Sequence, residues 1–144
     1  EALAPVRDAY AFTLLDCPPS LGPVSVNALT AADRVIVPVQ AEYLALEGQV
    51  QFLDTLATIR RELNPALEVS GLLVTMHDER TRLAQDVERE LRQHFPDMVF
   101  ETVIPRDVAV SEAPSHGLSV IDYAPRTRGA RAYVELCMEV LDRS

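Results

Sequence analysis

Short, nearly continuous apolar runs alternate along this chain with longer stretches whose apolar residues recur at helical spacing. One such stretch, Leu46 to Leu63, places Phe52, Leu56 and Ile59 on a single helical face. Runs that are apolar on both faces are typical of a parallel sheet covered by helices. We therefore predict an α/β fold with a mostly parallel sheet and helices on both faces. The predicted strands are Ala11–Asp16, Arg34–Val39, Val69–Met76 and Met98–Ile104, with a short final strand at Leu118–Asp122.

The segments between these runs are predicted to be helical, and their ends carry the expected signals. Pro65 lies just past the end of one helix, and Gly117 closes a short helix or turn. In the last helix we expect Tyr133, Val134, Cys137, Val140 and Leu141 to face inward. The predicted helices are Ser25–Ala32, Leu46–Leu63, Arg80–Phe95, Val108–His116 and Arg128–Arg143.

A carboxylate at the end of the first apolar run is the first candidate for chemistry. Asp16 follows this run directly, and the carboxyl ends of parallel strands are where such sheets bind ligands. In nucleotide-binding α/β folds a carboxylate there holds Mg²⁺ or a water bound to it. A helix cap or a turn-closing aspartate explains the residue equally well. Pro18 and Pro19 stiffen the loop that follows.

Three segments carry a resemblance to a known family: FTLLDCPPSLGPVSVNALTAADRVIVPVQAEYLALEG, LLVTMHDERT and ETVIPRDVAVSEAPSHG. From about Tyr10 to its end, the chain resembles the C-terminal part of the ParA/Soj chromosome and plasmid partition ATPases. These belong to the ParA/MinD group of deviant Walker A P-loop NTPases. The resemblance implies that Asp16 is the Walker B carboxylate, linked to Mg²⁺ through water. It also implies that Cys17, Pro18 and Pro19 lie in the switch II loop, which senses the γ-phosphate.

The same resemblance implies a nucleotide site at two later strand ends. The loops at Met76–Asp78 and Pro105–Asp107 would flank the adenine, with backbone groups near Pro105 among the contacts. The alternative is that Met76 is a core residue and Arg106 a solvated side chain at the end of its strand. The residues implied to bind nucleotide are Met76, Pro105, Arg106 and Asp107.

Two further regions are given roles by the resemblance. Gln40–Gly48 would lie near an ATP-dependent dimer interface, although Tyr43 and Leu46 fit ordinary packing equally well. Arg80 matches a position linked to nonspecific DNA binding, and arginine pairs well with phosphate. The family's second basic position is occupied by Ala109 here, which weakens the inference of DNA binding. The net charge of −9 weakens it further. A further basic cluster, Arg126, Arg128 and Arg131, is interpreted as a solvated loop and helix start.

The chain carries no lysine, and none of its five glycines lies in a G-x-x-x-x-G-K-[ST] setting. ATP binding in this family needs such a loop to cradle the phosphates. We therefore predict that residues 1–144 are the C-terminal portion of a single ParA-type ATPase domain, without the first strand and the P-loop. ATP and Mg²⁺ would bind only together with that missing portion, so this chain alone is expected to be inactive as an ATPase.

Two functional hypotheses follow. In the first, the complete protein is a cytoplasmic, nucleoid-associated partition ATPase that forms a homodimer with MgATP. It binds DNA nonspecifically and hydrolyses ATP slowly when stimulated by a ParB-type partner. In the second, the chain is a stand-alone ParA-derived binding module without ATPase activity. A membrane role is not expected, because Arg131–Ser144 carries two arginines against three acidic residues, 2 − 3 = −1, whereas membrane-surface helices are basic.

Overall fold

The computed structural model describes residues 3–18, 22–42 and 45–143. Within these residues β-strands and α-helices alternate as far as the second of two parallel strands, and the rest of the six α-helices follow it. Short 3-10 helices lie at Ala4–Ala9 and Ala113–His116. The elements are α1 (Pro23–Ala31), β1 (Arg34–Gln40), α2 (Ala45–Glu62), β2 (Glu68–Thr75), α3 (Arg82–His94), α4 (Val108–Glu112), α5 (Val120–Tyr123) and α6 (Arg128–Asp142).

The sheet consists of β1 and β2, extended by an irregular third segment. The two strands pair in parallel from Arg34 opposite Glu68 to Gln40 opposite Thr75. Beyond β2, residues 98–106 run parallel to it through isolated bridges at Val99 and Pro105. This segment occupies the place of the predicted strand Met98–Ile104 without forming a regular strand.

Helices cover both faces of this sheet, which confirms the predicted fold class. On one face Leu72 and Val74 pack with buried residues of α1, α2 and α3, including Leu56 and Leu91. On the other face Leu73 packs with Phe100, Ile104 and side chains of α6. The alternation of Leu72, Leu73 and Val74 between the two cores follows from the two-residue period of a strand.

Arg143, just after α6, contacts the amino-terminal parts of β2 and the third segment. Its guanidinium donates hydrogen bonds to the carbonyl oxygens of Ser70 and Val99, at 3.1 and 3.2 Å. It also lies 4.2 Å from the centroid of the Phe100 ring and pairs with Glu139 at 2.6 Å. These contacts join the last helix to β2 and the third segment at one point.

The outer backbone of the third segment is also capped by α6. Glu139 accepts hydrogen bonds from the N–H groups of Glu101 and Thr102, at 2.8 and 2.9 Å. Burial alone would raise the pKa of Glu139, but these hydrogen bonds and the charge of Arg143 outweigh it and lower the pKa. An ionised Glu139 therefore protects an otherwise unpaired strand edge.

Two more predicted strands are wrong. Residues Ala11–Asp16 form no strand, and Phe12 and Leu14 are 56% and 91% exposed. A strand needs a paired neighbour, and β1 pairs only with β2 among the described residues. Leu118–Asp122 is not a strand either, because Ser119 caps the short helix α5 that begins at Val120.

The predicted inward face of the last helix is also largely wrong. Tyr133, Val134, Cys137 and Leu141 are exposed, and of the five predicted residues only Val140 packs against the core. The sheet is contacted instead by Ala132, Leu136 and Val140. Because α6 carries apolar residues on two adjacent faces, its spacing did not identify the packed one.

The apolar side chains left exposed lead to a prediction for the isolated chain. Phe12, Leu14, Val134 and Met138 are all more than 45% exposed. Exposed apolar surface of this kind drives association. We expect the isolated chain to form dimers or larger assemblies at micromolar concentration in analytical ultracentrifugation. A stable, dilute monomer would contradict this expectation.

Candidate functional site

Three chain segments meet at the carboxyl end of the sheet. Ala41, directly after β1, donates its N–H to the carbonyl oxygen of Thr75 at 3.0 Å. Two residues past β2, the N–H of His77 donates to the carbonyl oxygen of Ile104 at 3.1 Å, and its carbonyl oxygen accepts from the N–H of Arg106 at 2.9 Å. The backbone ladder thus continues past the ends of both strands and brings the predicted nucleotide-binding residues to one edge.

Met76 has a backbone conformation that is unusual for its residue type. Its φ of 53° lies in the left-handed region, which residues other than glycine seldom adopt. The side chain is 38% exposed, so Met76 is not a core residue. Such strain at a strand end is typical of sites that bind ligands.

Arg106 crosses the end of β2 to reach the segment after β1. Its guanidinium donates a hydrogen bond to a carboxylate oxygen of Glu42 at 2.9 Å. Both side chains are about half exposed, at 51% and 53%. The guanidinium therefore lies at the surface of the carboxyl edge, where a ligand could reach it.

Asp107, the third residue of this loop, has both carboxylate oxygens in hydrogen bonds to the backbone. One oxygen accepts from the N–H of Ala109 at 3.0 Å and caps α4. The other accepts from the N–H of Gly129 at 2.8 Å, at the start of α6. Ala109 itself is buried and contributes to the packing of α4 and α5.

Arg80, the predicted DNA-binding residue, is 88% exposed and paired with Asp78. Its side chain donates two hydrogen bonds to the two oxygens of that carboxylate, at 2.9 and 2.8 Å. These bonds and the charge of Arg80 hold the pKa of Asp78 well below its usual range. Asp78 is therefore ionised at neutral pH and attracts the guanidinium of Arg80. In the other basic cluster, Arg128 pairs with Glu79 at 3.4 Å.

The structure does not place Asp16 in the sheet. Residues Asp16, Cys17 and Pro18 are exposed, and the carbonyl oxygen of Pro18 accepts a hydrogen bond from Ser25 at 3.4 Å. Pro19 and Tyr43 lie outside the described residues, as does the side chain of Leu46. Within the described ranges, no group of three or more His, Cys, Asp or Glu side chains is arranged to hold a metal ion.

Sequence reasoning gave no role to His77, which is buried, with an exposed fraction of 7%. Its Nε2 lies 3.1 Å from a carboxylate oxygen of Glu88, in a contact that lacks hydrogen-bond alignment. The ring borders a cleft of about 420 Å³ between α3 and α6, lined also by Arg131 and Glu135. The sequence held no signal for this cleft, because α3 and α6 are far apart in the chain. In the part of the chain that the structure describes, no helix is long and apolar enough to cross a membrane.

Comparison with known proteins confirms the resemblance found in the sequence. A family model described as "AAA domain" matches residues 1–69. The chain is 50% identical over 140 residues to the sporulation initiation inhibitor protein Soj of Bacillus subtilis, covering 97% of this chain and 55% of that protein. It is 54% identical over 136 residues to the chromosome-partitioning ATPase Soj of Thermus thermophilus, covering 94% of this chain and 55% of that protein. The chain therefore spans about half the length of these curated relatives.

Solved structures support the same fold. One is the crystal structure of cobyrinic acid a,c-diamide synthase from Mycobacterium smegmatis with a bound ATP analogue and magnesium. It matches with a TM-score of 0.78 and 35% identity, over 97% of this chain and 50% of that one. The cell division ATPase MinD of Pyrococcus furiosus matches with a TM-score of 0.76 over 99% of this chain and 56% of that one. At 22% identity this second likeness shows the fold alone.

Proposed function

The chain is related over nearly its whole length to the Soj/ParA chromosome-partitioning ATPases, and on this premise we propose that it is the C-terminal portion of an ATP-driven partition protein. The relationship of 50% identity over 97% of the chain is the observation that carries the proposal. Residues 1–144 would form one part of a single ATPase domain, with the phosphate-binding loop in the remaining part. The whole protein would act as a switch rather than a metabolic enzyme, changing its assembly state with the bound nucleotide.

The carboxyl edge of the sheet is the proposed place of the nucleotide base. Met76, Pro105 and Arg106 surround it, with the backbone near Pro105 and the guanidinium of Arg106 as contacts. The strained backbone of Met76 and the surface position of Arg106 support this assignment. Ligands of open α/β sheets bind at this end of the strands because the loops there diverge.

Asp16 is the proposed residue that holds Mg²⁺, through a bound water. A carboxylate oxygen suits this hard cation, which keeps several waters and takes its other ligands from phosphates. The exposed position of Asp16 is compatible with that arrangement. When bound, Mg²⁺ would neutralise charge on the phosphates. Cys17, Pro18 and Pro19 would form the loop that responds to the γ-phosphate.

The proposed partners are a second copy of the complete protein, nonspecific DNA and a ParB-type protein, in a cytoplasmic, nucleoid-associated setting. The complete protein should change from monomer to dimer when MgATP is added, as measured by light scattering coupled to gel filtration. A complete protein that binds no MgATP would overturn the proposal. A complete protein that binds MgATP without dimerising would contradict the proposed change of assembly state with nucleotide.

DNA binding by the complete protein should respond to the Asp78–Arg80 pair. Asp78→Ala releases the guanidinium of Arg80 for a phosphate, so we expect DNA affinity to rise by about threefold to tenfold at low salt. Arg80→Ala should lower the affinity. Fluorescence anisotropy with a DNA duplex of random sequence measures both effects.

The matched control for this experiment is Asp97→Ala. Asp97 is exposed and precedes the third segment at the opposite end of the sheet, and its removal changes the net charge equally. If Asp97→Ala raises DNA affinity as much as Asp78→Ala, the effect is one of net charge and Arg80 has no special role.

A further inference from the structure

Asp107 joins two helix starts that lie far apart in the sequence. Its carboxylate accepts one N–H at the start of α4 and another from Gly129, 22 residues later, at the start of α6. Carboxylates are stabilised at helix N-termini by the free N–H groups and the helix dipole. Here one side chain serves two helices, which fixes the position of each relative to the other.

The close approach of these helices depends on glycine at position 129. A Cβ atom on Gly129 would lie 2.6 Å from a methyl carbon of Val110 and 3.1 Å from Cβ of Asp107. Since Val110 is an α4 residue, no larger side chain fits between α4 and α6 without movement. The absence of a side chain at Gly129 thus allows the close approach in which its N–H donates to Asp107.

The loop that contains Arg106 is held on both sides. On its N-terminal side, the N–H of Arg106 donates to the carbonyl oxygen of His77 at 2.9 Å, next to the bridge at Pro105. On its C-terminal side, Asp107 is fixed by Ala109 and Gly129. The backbone of Arg106 therefore has little freedom, and its guanidinium is directed across the end of β2.

We propose that Asp107 is a positioning residue, whose carboxylate clamps the starts of α4 and α6 and thereby holds Arg106 at the nucleotide edge. The proposal rests on the function proposed above, because it assigns a nucleotide contact to Arg106. It also refines the sequence-based prediction for Asp107, which acts through its neighbour instead of touching the nucleotide. With both oxygens engaged by backbone N–H groups, the carboxylate offers no donor to phosphate and would repel it.

The test is a double-mutant cycle in the complete protein, with MgATP binding measured by calorimetry. Arg106→Ala and Asp107→Ala should each weaken binding about tenfold. The first removes the guanidinium, and the second removes the contacts that hold it in place. The double variant should bind no more weakly than Arg106→Ala alone. Asp107→Asn, which keeps one acceptor oxygen, is a milder second variant should Asp107→Ala fold poorly.

Ser119→Ala is the matched control, since it removes the cap of the neighbouring helix α5, where Ser119 accepts the N–H of Asp122 at 3.1 Å. It should change MgATP affinity less than twofold. Multiplicative losses in the double variant would show that Asp107 acts independently of Arg106 and would overturn the proposal. Unchanged binding in both single variants would overturn it as well, while leaving ATP binding by the protein intact.

Amide hydrogen exchange separates this inference from the proposed function. Asp107→Ala should accelerate exchange at Gly129 at least tenfold relative to Ser119→Ala, whether or not nucleotide binds. Unchanged exchange at Gly129 would overturn the clamp. A wild-type protein that fails to bind MgATP would overturn the proposed function and the nucleotide role of Asp107, with the exchange result still deciding the clamp.

Discussion

Asp16→Ala should sharply weaken MgATP-dependent dimerisation of the complete protein while leaving its fold intact. Asp16 is exposed and outside the sheet in this chain, so its removal breaks no buried contact among the described residues. If it holds Mg²⁺, its loss leaves the phosphate charge less neutralised and the switch II loop without its link to the metal. We expect the MgATP concentration needed for dimerisation to rise by at least about tenfold. Gel filtration with light scattering measures the dimer fraction across a nucleotide titration.

The matched control is Asp8→Ala, which removes another exposed carboxylate from the same N-terminal region. It should leave dimerisation unchanged. Unfolding midpoints of the two variants should agree with the wild-type value, so that a change in assembly cannot be attributed to stability. Normal MgATP-dependent dimerisation of the Asp16→Ala variant would contradict the role in Mg²⁺ binding proposed for Asp16.

The strands predicted correctly are those that have a parallel neighbour among the described residues. The run RVIVPV and the run VSGLLVTM became β1 and β2 because each has a parallel neighbour, and the long amphipathic stretch became α2. Ala11–Asp16 has the same apolar character and forms no strand, since no described segment pairs with it. Local pattern gives strand propensity, but pairing decides whether a strand forms.

The loops at the carboxyl edge could be predicted because the carboxyl ends of parallel strands lie at one edge of a sheet, and the resemblance to the family singled out residues in them. Their contacts could not, since a hydrogen bond such as that between Asp107 and Gly129 joins residues 22 positions apart. The strain at Met76 had no signal in its residue type. The pair of Asp78 and Arg80 is local and could have been expected from their spacing, and it changes what Arg80 can bind.

Gly71→Ala should destabilise the protein by about 3 kcal/mol or more. Gly71 lies at the irregularity where the register of β1 and β2 shifts, and its φ is 154°. An added Cβ would lie 2.5 Å from the carbonyl oxygen of Met98 and 2.9 Å from the Phe100 ring. The first of these atoms is backbone in the third segment, which cannot move without breaking its pairing to β2. Urea unfolding followed by circular dichroism measures the loss.

Gly117→Ala separates crowding from backbone strain. Gly117 has a φ of 66°, but nothing lies within 4 Å of the position of an added Cβ. Its substitution should therefore cost only about 1 to 2 kcal/mol, the penalty of a left-handed alanine. Equal losses of stability in the two variants would contradict the close packing of β2, the third segment and Arg143 around Gly71. A much larger loss for Gly71→Ala would mean that this junction, where the Arg143 guanidinium lies 3.0 Å from the added Cβ, admits no side chain.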